Sequence, residues 1–201
     1  MIIWITGLPG SGKTTLAKKI KSILEPKISN NIVICYVTFF TNTPQLVQIY
    51  FLFFALPEFG ILLSPYIAVL LGMTLNAAAY LCEIQRAGFL SIRQNELDAA
   101  KTLNFSLVQQ VKYVILPHIM RVLFPPLSNH YIIMTLGTSM AAIFGVEELT
   151  GRAFNINSET FRSVEIFSIT ALIYIVITFI ATFLLAVIGR YFFKAKIRII
   201  Q

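Results

Sequence analysis

The chain has 201 residues, of which 57% are hydrophobic and only 12% charged, with Phe alone present 17 times. A soluble domain carries about 25% charged residues, so this balance excludes an ordinary water-soluble fold and favours lipid as the solvent. The net charge of +7 does not argue for nucleic acid, because the charges follow a membrane pattern set out below.

In chain order, Ile2 to Thr6 forms a short apolar strand pattern. Residues 7–14, Gly-Leu-Pro-Gly-Ser-Gly-Lys-Thr, form a full P-loop pattern. Leu16, Ala17, Ile20 and Ile23 then repeat at helical spacing. In such a loop the glycines let backbone N–H groups wrap phosphates, while Lys13 reaches the terminal phosphates and Thr14 holds magnesium. Met1 to Lys19 resembles the start of P-loop kinases, adenylylsulfate kinase in particular, which implies nucleotide-binding roles for Gly7, Gly12, Lys13 and Thr14. As a domain it is too short. A parallel sheet covered on both faces takes on the order of 100 residues or more, and no aspartate precedes Asp98 to hold the metal. Residues 1–35 are expected to be a β-α stub rather than an independent domain.

Four apolar stretches follow. The first runs from Ile32 to Leu56 and is interrupted by Thr41-Asn42-Thr43-Pro44. The second runs from Pro65 to about Leu90, the third from Leu127 to Val146 and the fourth from Val164 to Phe193. A helix needs about 20 apolar residues to cross the hydrocarbon. The fourth is the cleanest; the others carry polar residues near their middles, as helices lining a shared polar cavity do. The expected fold class is an all-α integral membrane protein with about four spanning helices. Asn76, Tyr80 and Glu83 stand at i, i+4 and i+7 on one helix face, and Ala77 to Ala79 let a neighbour approach closely. They are candidates to line a polar path; the competing reading pairs Glu83 with Arg86 at i+3. Thr138 and Ser139 have a similar claim against back-bonding to the preceding turn. Cys35 and Cys82 read as small buried filler. His118 and His130 lack metal-ligand spacing, so neither a metal nor a cofactor is expected.

Between the second and third stretches, Arg93 to Pro117 is too charged to span. Leu97, Ala100 and Leu103 repeat at helical spacing, and so do Leu107, Val108, Val111 and Val114. Asn104 between them tolerates the left-handed conformation that ends helices, and Ser106 with Gln109 fits a capping box. The pattern predicts two short amphipathic helices joined by a sharp turn. Of the 16 Lys and Arg residues, all but Arg152 and Arg162 fall on the side shared by the N-terminus, the 86–121 segment and the C-terminal tail. The positive-inside rule puts that side, and both termini, in the cytoplasm.

Residues 95–117 resemble the EAA loop of binding-protein-dependent ABC importer permeases. Asp98, Ala99, Ala100, Asn104, Val114, Leu116 and Pro117 stand at its motif positions, with Asp for Glu and Asn for Gly. Both replacements keep the physical role, a negative charge and a turn former. Thr43 to Gln48, Leu75 to Arg86, Thr138-Ser139, Gly145 to Leu149 and Thr160 to Arg162 resemble the polar amino-acid (glutamine/histidine/arginine-type) permeases, in the family's order over about 36–201. The resemblance implies an ABC importer type I transmembrane domain in the cell (inner) membrane, importing polar amino acids. It implies that Asp98, Ala99, Ala100, Asn104, Leu116 and Pro117 couple to a separate cytoplasmic ATPase subunit, so that this chain performs no covalent chemistry. The further implied partners are an extracytoplasmic substrate-binding protein, a second permease subunit in a homo- or heterodimer, and the lipid bilayer. Such permeases have another spanning helix upstream that this sequence lacks, so a junction near 28–36 is expected. Two other readings stay open: a P-loop kinase fragment, and an inactive truncated fusion product.

Overall fold

The computed structural model describes residues 30–193, and among these every regular element is helical. Helix α1 is Asn30–Thr41. Helix α2, Gln45–Tyr50, continues through a π turn, Phe51–Ala55, and a 3-10 turn, Leu56–Phe59. Helix α3 is Pro65–Leu90 and α4 is Gln94–Thr102. The short α5, Leu107–Gln110, passes through a π turn, Val111–Ile115, into α6, Leu116–Gly137, which tightens to 3-10 over Thr138–Phe144. Helix α7 is Leu149–Thr160 and α8 is Ser163–Phe192. The P-loop-like residues Gly7, Gly12, Lys13 and Thr14 lie outside the described residues.

By length and composition α3 and α8 are long and apolar enough to cross a membrane, and Leu107–Phe144 with Leu149–Thr160, bent by 43°, forms a third candidate span. The first apolar stretch breaks into α1 and α2 at the interruption its sequence shows, Thr41-Asn42-Thr43-Pro44. Pro44 has no N–H to continue α1. The carbonyl that Pro44 leaves without an N–H is Phe40 O, and side chains meet it: Gln48 Nε2 donates at 3.0 Å and Asn76 Nδ2 at 3.2 Å, while Thr43 Oγ1 donates to Phe39 O at 2.9 Å.

The expected third span, Leu127 to Val146, is corrected, because its helical run starts at Leu107. Pro117 has no N–H to donate to Tyr113 O. The π turn absorbs the missing donor by shifting the ladder one residue, so that Leu116 N–H bonds Val111 O. Pro125 and Pro126 likewise sit inside α6.

The described chain divides into two compact units. One comprises the residues up to Val37, Leu81–Leu127 and those from Ala186 onward; the other comprises Thr38–Tyr80 and Ser128–Leu185. In the first, Leu97, Ile115, Ile119 and Leu123 form a buried cluster flanked by Ile84, Phe89, Ile92 and Leu127. This cluster fastens α4 to the start of α6, and Gly88 on α3 presses on Leu123, with no room for a Cβ. In the second unit, Ile49, Val69, Ala141 and Phe144 form the core, with Leu46, Phe53, Met73 and Val146 packed against it. Phe144 meets Tyr50 and Phe53 edge-on, a favoured ring geometry. Cys35 is exposed rather than buried, and both cysteines are free thiols. Two residues from buried Val37, Cys35 falls on the opposite face of α1.

Candidate functional site

The turn between α4 and α5 is closed by backbone bonds of one defined kind. Phe105 N–H reaches back to Ala100 O at 3.0 Å and Asn104 N–H to Lys101 O at 2.9 Å. That pair of bonds is a Schellman motif, which needs a left-handed residue at Asn104. Asn104 has φ 54°, a conformation Asn tolerates better than most residues. Helix α5 opens with the reciprocal capping box: Ser106 Oγ accepts from Gln109 N–H at 3.3 Å, and Ser106 N–H donates to Gln109 Oε1 at 2.8 Å. Gln110, buried, donates to Phe105 O at 2.9 Å and locks the turn from behind. Sequence reasoning gave Gln110 no role.

Around this turn the expected coupling residues divide by face. Ala100 is buried against the cluster, as is Leu97; Asp98, Ala99, Asn104, Leu116 and Pro117 are exposed. Asp98 Oδ1 accepts from Lys101 Nζ and from Gln94 Nε2, each at 2.9 Å. The hydrogen bonds from Lys101 and then Gln94 hold the Asp98 carboxyl below the usual carboxylate range. Leu103 and Val108, at 68% and 75% exposure, put large apolar side chains beside the turn. An apolar, exposed pair of short helices is chemically suited to a partner's groove.

The expected path residues are placed differently. Asn76 is buried. Its Nδ2 donates to Gln48 Oε1 at 3.1 Å and to Phe40 O at 3.2 Å, so both amide hydrogens are spent. Gln48, also buried, donates to Phe40 O, Thr43 O and Thr43 Oγ1. This network seals the break between α1 and α2. In the sequence Gln48 belongs to the Thr43 to Gln48 stretch, and its signal is a polar residue four positions beyond a helix-breaking proline. Tyr80, 40% exposed, stacks on His130 with ring centroids 5.6 Å apart. Thr138 and Ser139 donate to Thr135 O and Leu136 O, at 2.7 and 2.8 Å. That is the back-bonding alternative, and Thr138 also hydrogen-bonds the Tyr174 hydroxyl. In the other unit Glu83 Oε2 pairs with Arg86 at 2.6 Å, the i+3 alternative.

Two further groupings were not foreseen. Glu148 caps α7 through Gly151 N–H at 2.8 Å and accepts from Tyr174 at 2.9 Å, while Thr150 meets the same phenol at 2.9 Å. His118 touches both Ser91 and Glu96.

Comparison with known proteins gives a consistent result. The family described as binding-protein-dependent transport system inner membrane component matches residues 20–194. The chain is 34% identical over 194 residues to the glutamine transport system permease protein of Escherichia coli (strain K12), covering 94% of this chain and 89% of that one. It is 34% identical over 154 residues to the octopine transport system permease protein of Rhizobium radiobacter, covering 72% and 63%. A solved structure, the crystal structure of an amino acid ABC transporter with histidines, superposes with a TM-score of 0.75 at 28% identity. It covers 87% of this chain and 82% of that one.

Proposed function

The chain belongs to the binding-protein-dependent transport system inner membrane component family, as a multi-pass permease subunit of an ABC importer, and we propose that its cargo is polar amino acids. The relatives named for glutamine and octopine transport support that substrate class. We further propose that ATP is hydrolysed by a separate cytoplasmic subunit docked on the α4–α5 turn. An extracytoplasmic binding protein delivers the substrate, and a second permease subunit completes the pathway. Both termini face the cytoplasm, on the charge asymmetry described above and with the broken α1–α2 run counted as a fourth crossing.

The observation that carries the docking proposal is the left-handed Asn104 turn with its Schellman bonds and capping box. It holds two short helices at a fixed angle and exposes Asp98, Asn104 and the apolar residues beside them. For the path, Tyr80 is the lining residue, held over the α1–α2 break that Asn76 seals. Thr138 and Ser139 supply acceptor oxygens, and Glu83 supplies a carboxylate shared with Arg86.

The test is co-purification of the ATPase subunit, with substrate-stimulated ATP hydrolysis in liposomes. Asp98→Ala and Asn104→Val should each weaken both. β-Branching makes the left-handed conformation a costly outlier, whereas Asn104→Gly should be neutral or better. Lys13→Ala should change nothing. If Lys13→Ala abolishes activity while the turn variants do not, the functional centre lies elsewhere.

A further inference from the structure

Three segments of one unit meet at the His118 ring, in the first turn of α6. Its Nδ1 lies 3.3 Å from Glu96 Oε2 on α4. Its Nε2 lies 3.2 Å from Ser91 Oγ, just past the end of α3. The direction of each bond follows the hydrogens on the ring and on the Ser91 hydroxyl. Ser91 Oγ carries one hydrogen, and it goes to Gly88 O at 2.6 Å. The hydroxyl therefore turns only lone pairs to the ring, and an ionised Glu96 has nothing but lone pairs to offer. With the hydroxyl placed so, both ring nitrogens face lone pairs, an arrangement that the imidazolium, with its two N–H groups, satisfies.

We propose that His118 is a proton-dependent positioning residue for coupling. As an imidazolium it ties α6 to α4 and to the end of α3 at once, and so fixes the Asn104 turn against the spanning helices. This rests on the reading of that turn as the ATPase contact. When the ring loses one proton to water, one nitrogen becomes an acceptor. If Nδ1 keeps its hydrogen for Glu96, the Ser91 hydroxyl must swing from Gly88 O to Nε2. Gly88 O still holds Ser91 N–H at 3.2 Å, so the swing strands no carbonyl. The tie to Glu96 drops from an ion pair to a hydrogen bond from a neutral N–H to the carboxylate and loses its Coulombic part. The clamp is therefore complete at acid pH and loosens as pH rises.

The surroundings are simple enough to assign the effect to this ring. Glu96 is the carboxylate within ion-pair distance of His118 among the described residues, and the end of α3 contributes the uncharged Ser91. Arg121, one turn further along α6, directs its Nε to Phe193 O at 3.4 Å. Leu97 and Ile119 beside the ring's neighbours belong to the apolar cluster. The side chains of His118 and Glu96 are 23% and 37% exposed, which lets protons exchange with water.

The experiment uses the full chain with its ATPase in proteoliposomes. It reads substrate moved per ATP hydrolysed, with the ATPase-side pH varied between about 5 and 8, where histidine is the side chain that changes charge. The wild-type ratio should fall towards the alkaline end. His118→Gln and Glu96→Gln should give a flat profile near the wild-type alkaline value. Ser91→Ala, which keeps the Glu96 pair, should flatten it in part. The only other histidine is His130, and His130→Gln should keep the wild-type profile. A second reading is hydrogen exchange of residues 94–106 in the full chain in nanodiscs, corrected for intrinsic rates. Protection should decline with pH in the wild type and stay constant in His118→Gln. Equal pH dependence of wild type and His118→Gln in both measurements would overturn the proposal, and so would a flat profile in His130→Gln. If Asp98→Ala leaves the ATPase fully bound, the docking reading fails instead, and the exchange measurement still decides the clamp.

Discussion

Gly88→Ala is expected to destabilise this protein, although alanine is the better helix former. Removing a glycine from a helix interior should gain about 1 kcal/mol by propensity. Against that, a Cβ at position 88 would overlap Leu123: it collides with Cδ2 and lies 2.7 Å from Cγ and 3.3 Å from Cδ1. Turning χ2 moves the two methyls but not Cγ. Relief therefore needs a χ1 change or a backbone shift. Leu123 is 7% exposed and packed with Leu97, Ile115 and Ile119, so neither comes without disturbing the cluster that holds α4. Overpacking of this kind costs about 1–3 kcal/mol. Set against the propensity gain, the net loss is about 0–2 kcal/mol. The assay is a double-mutant cycle on unfolding in nanodiscs. Leu123→Ala alone should cost about 2–5 kcal/mol. In that background Gly88→Ala should turn from harmful to favourable, a coupling above the roughly 0.5 kcal/mol expected of independent sites. If Gly88→Ala stabilises the wild type by about 1 kcal/mol, close to its propensity value, the contact with Leu123 is not what keeps glycine there.

Gln48→Leu should cost about 1–3 kcal/mol, because it strips one of the two bonds from the buried Asn76 amide and the donor from Thr43 Oγ1; unchanged thermal unfolding would show that the network at the break is dispensable. Glu83→Gln should change uptake rate or selectivity at unchanged membrane abundance, measured with labelled amino acids in cells; unaltered uptake would make the Arg86 pair purely structural. In a background without Cys35 and Cys82, a cysteine at Asn155 should react with an impermeant reagent added to intact cells and one at Asn104 should not; the reverse would refute the orientation.

Long uninterrupted apolar runs were legible to within a residue or two: α3 and α8 begin and end where composition changes. The Asn104 turn was equally legible, because Schellman and capping-box bonds join residues no more than five apart and their signals lie side by side in the sequence. What sequence reasoning missed depends on residues that are distant along the chain. Asn76 reads as a free polar group until Gln48 and Phe40 O, 28 and 36 positions away, take its hydrogens. Ser91, Glu96 and His118 have no pattern linking them; only the fold of α4 back onto α6 brings them together. The start of the third span was hidden for a different reason. Lys112, Pro117 and Arg121 each resemble an interruption, and the π turn that carries the helix through them leaves no signature in composition.

The same π turn bears on how a push at the turn travels. In the segment from Leu103 to Gln110 the backbone N–H groups of Leu103, Asn104, Phe105, Ser106, Gln109 and Gln110 are all engaged. Bending there would break several bonds at once. Displacement is therefore not absorbed locally, and on the proposed docking it passes into the continuous run from Leu107 to Phe144. A break at Pro117 would have decoupled the docked helix from the span that follows. The one-residue shift in the ladder keeps proline at that position and keeps the run helical. The softest remaining joint is then the contact between α4 and the start of α6, held by the apolar cluster and by His118. A change in either should alter coupling before it alters assembly, which separates the two roles experimentally.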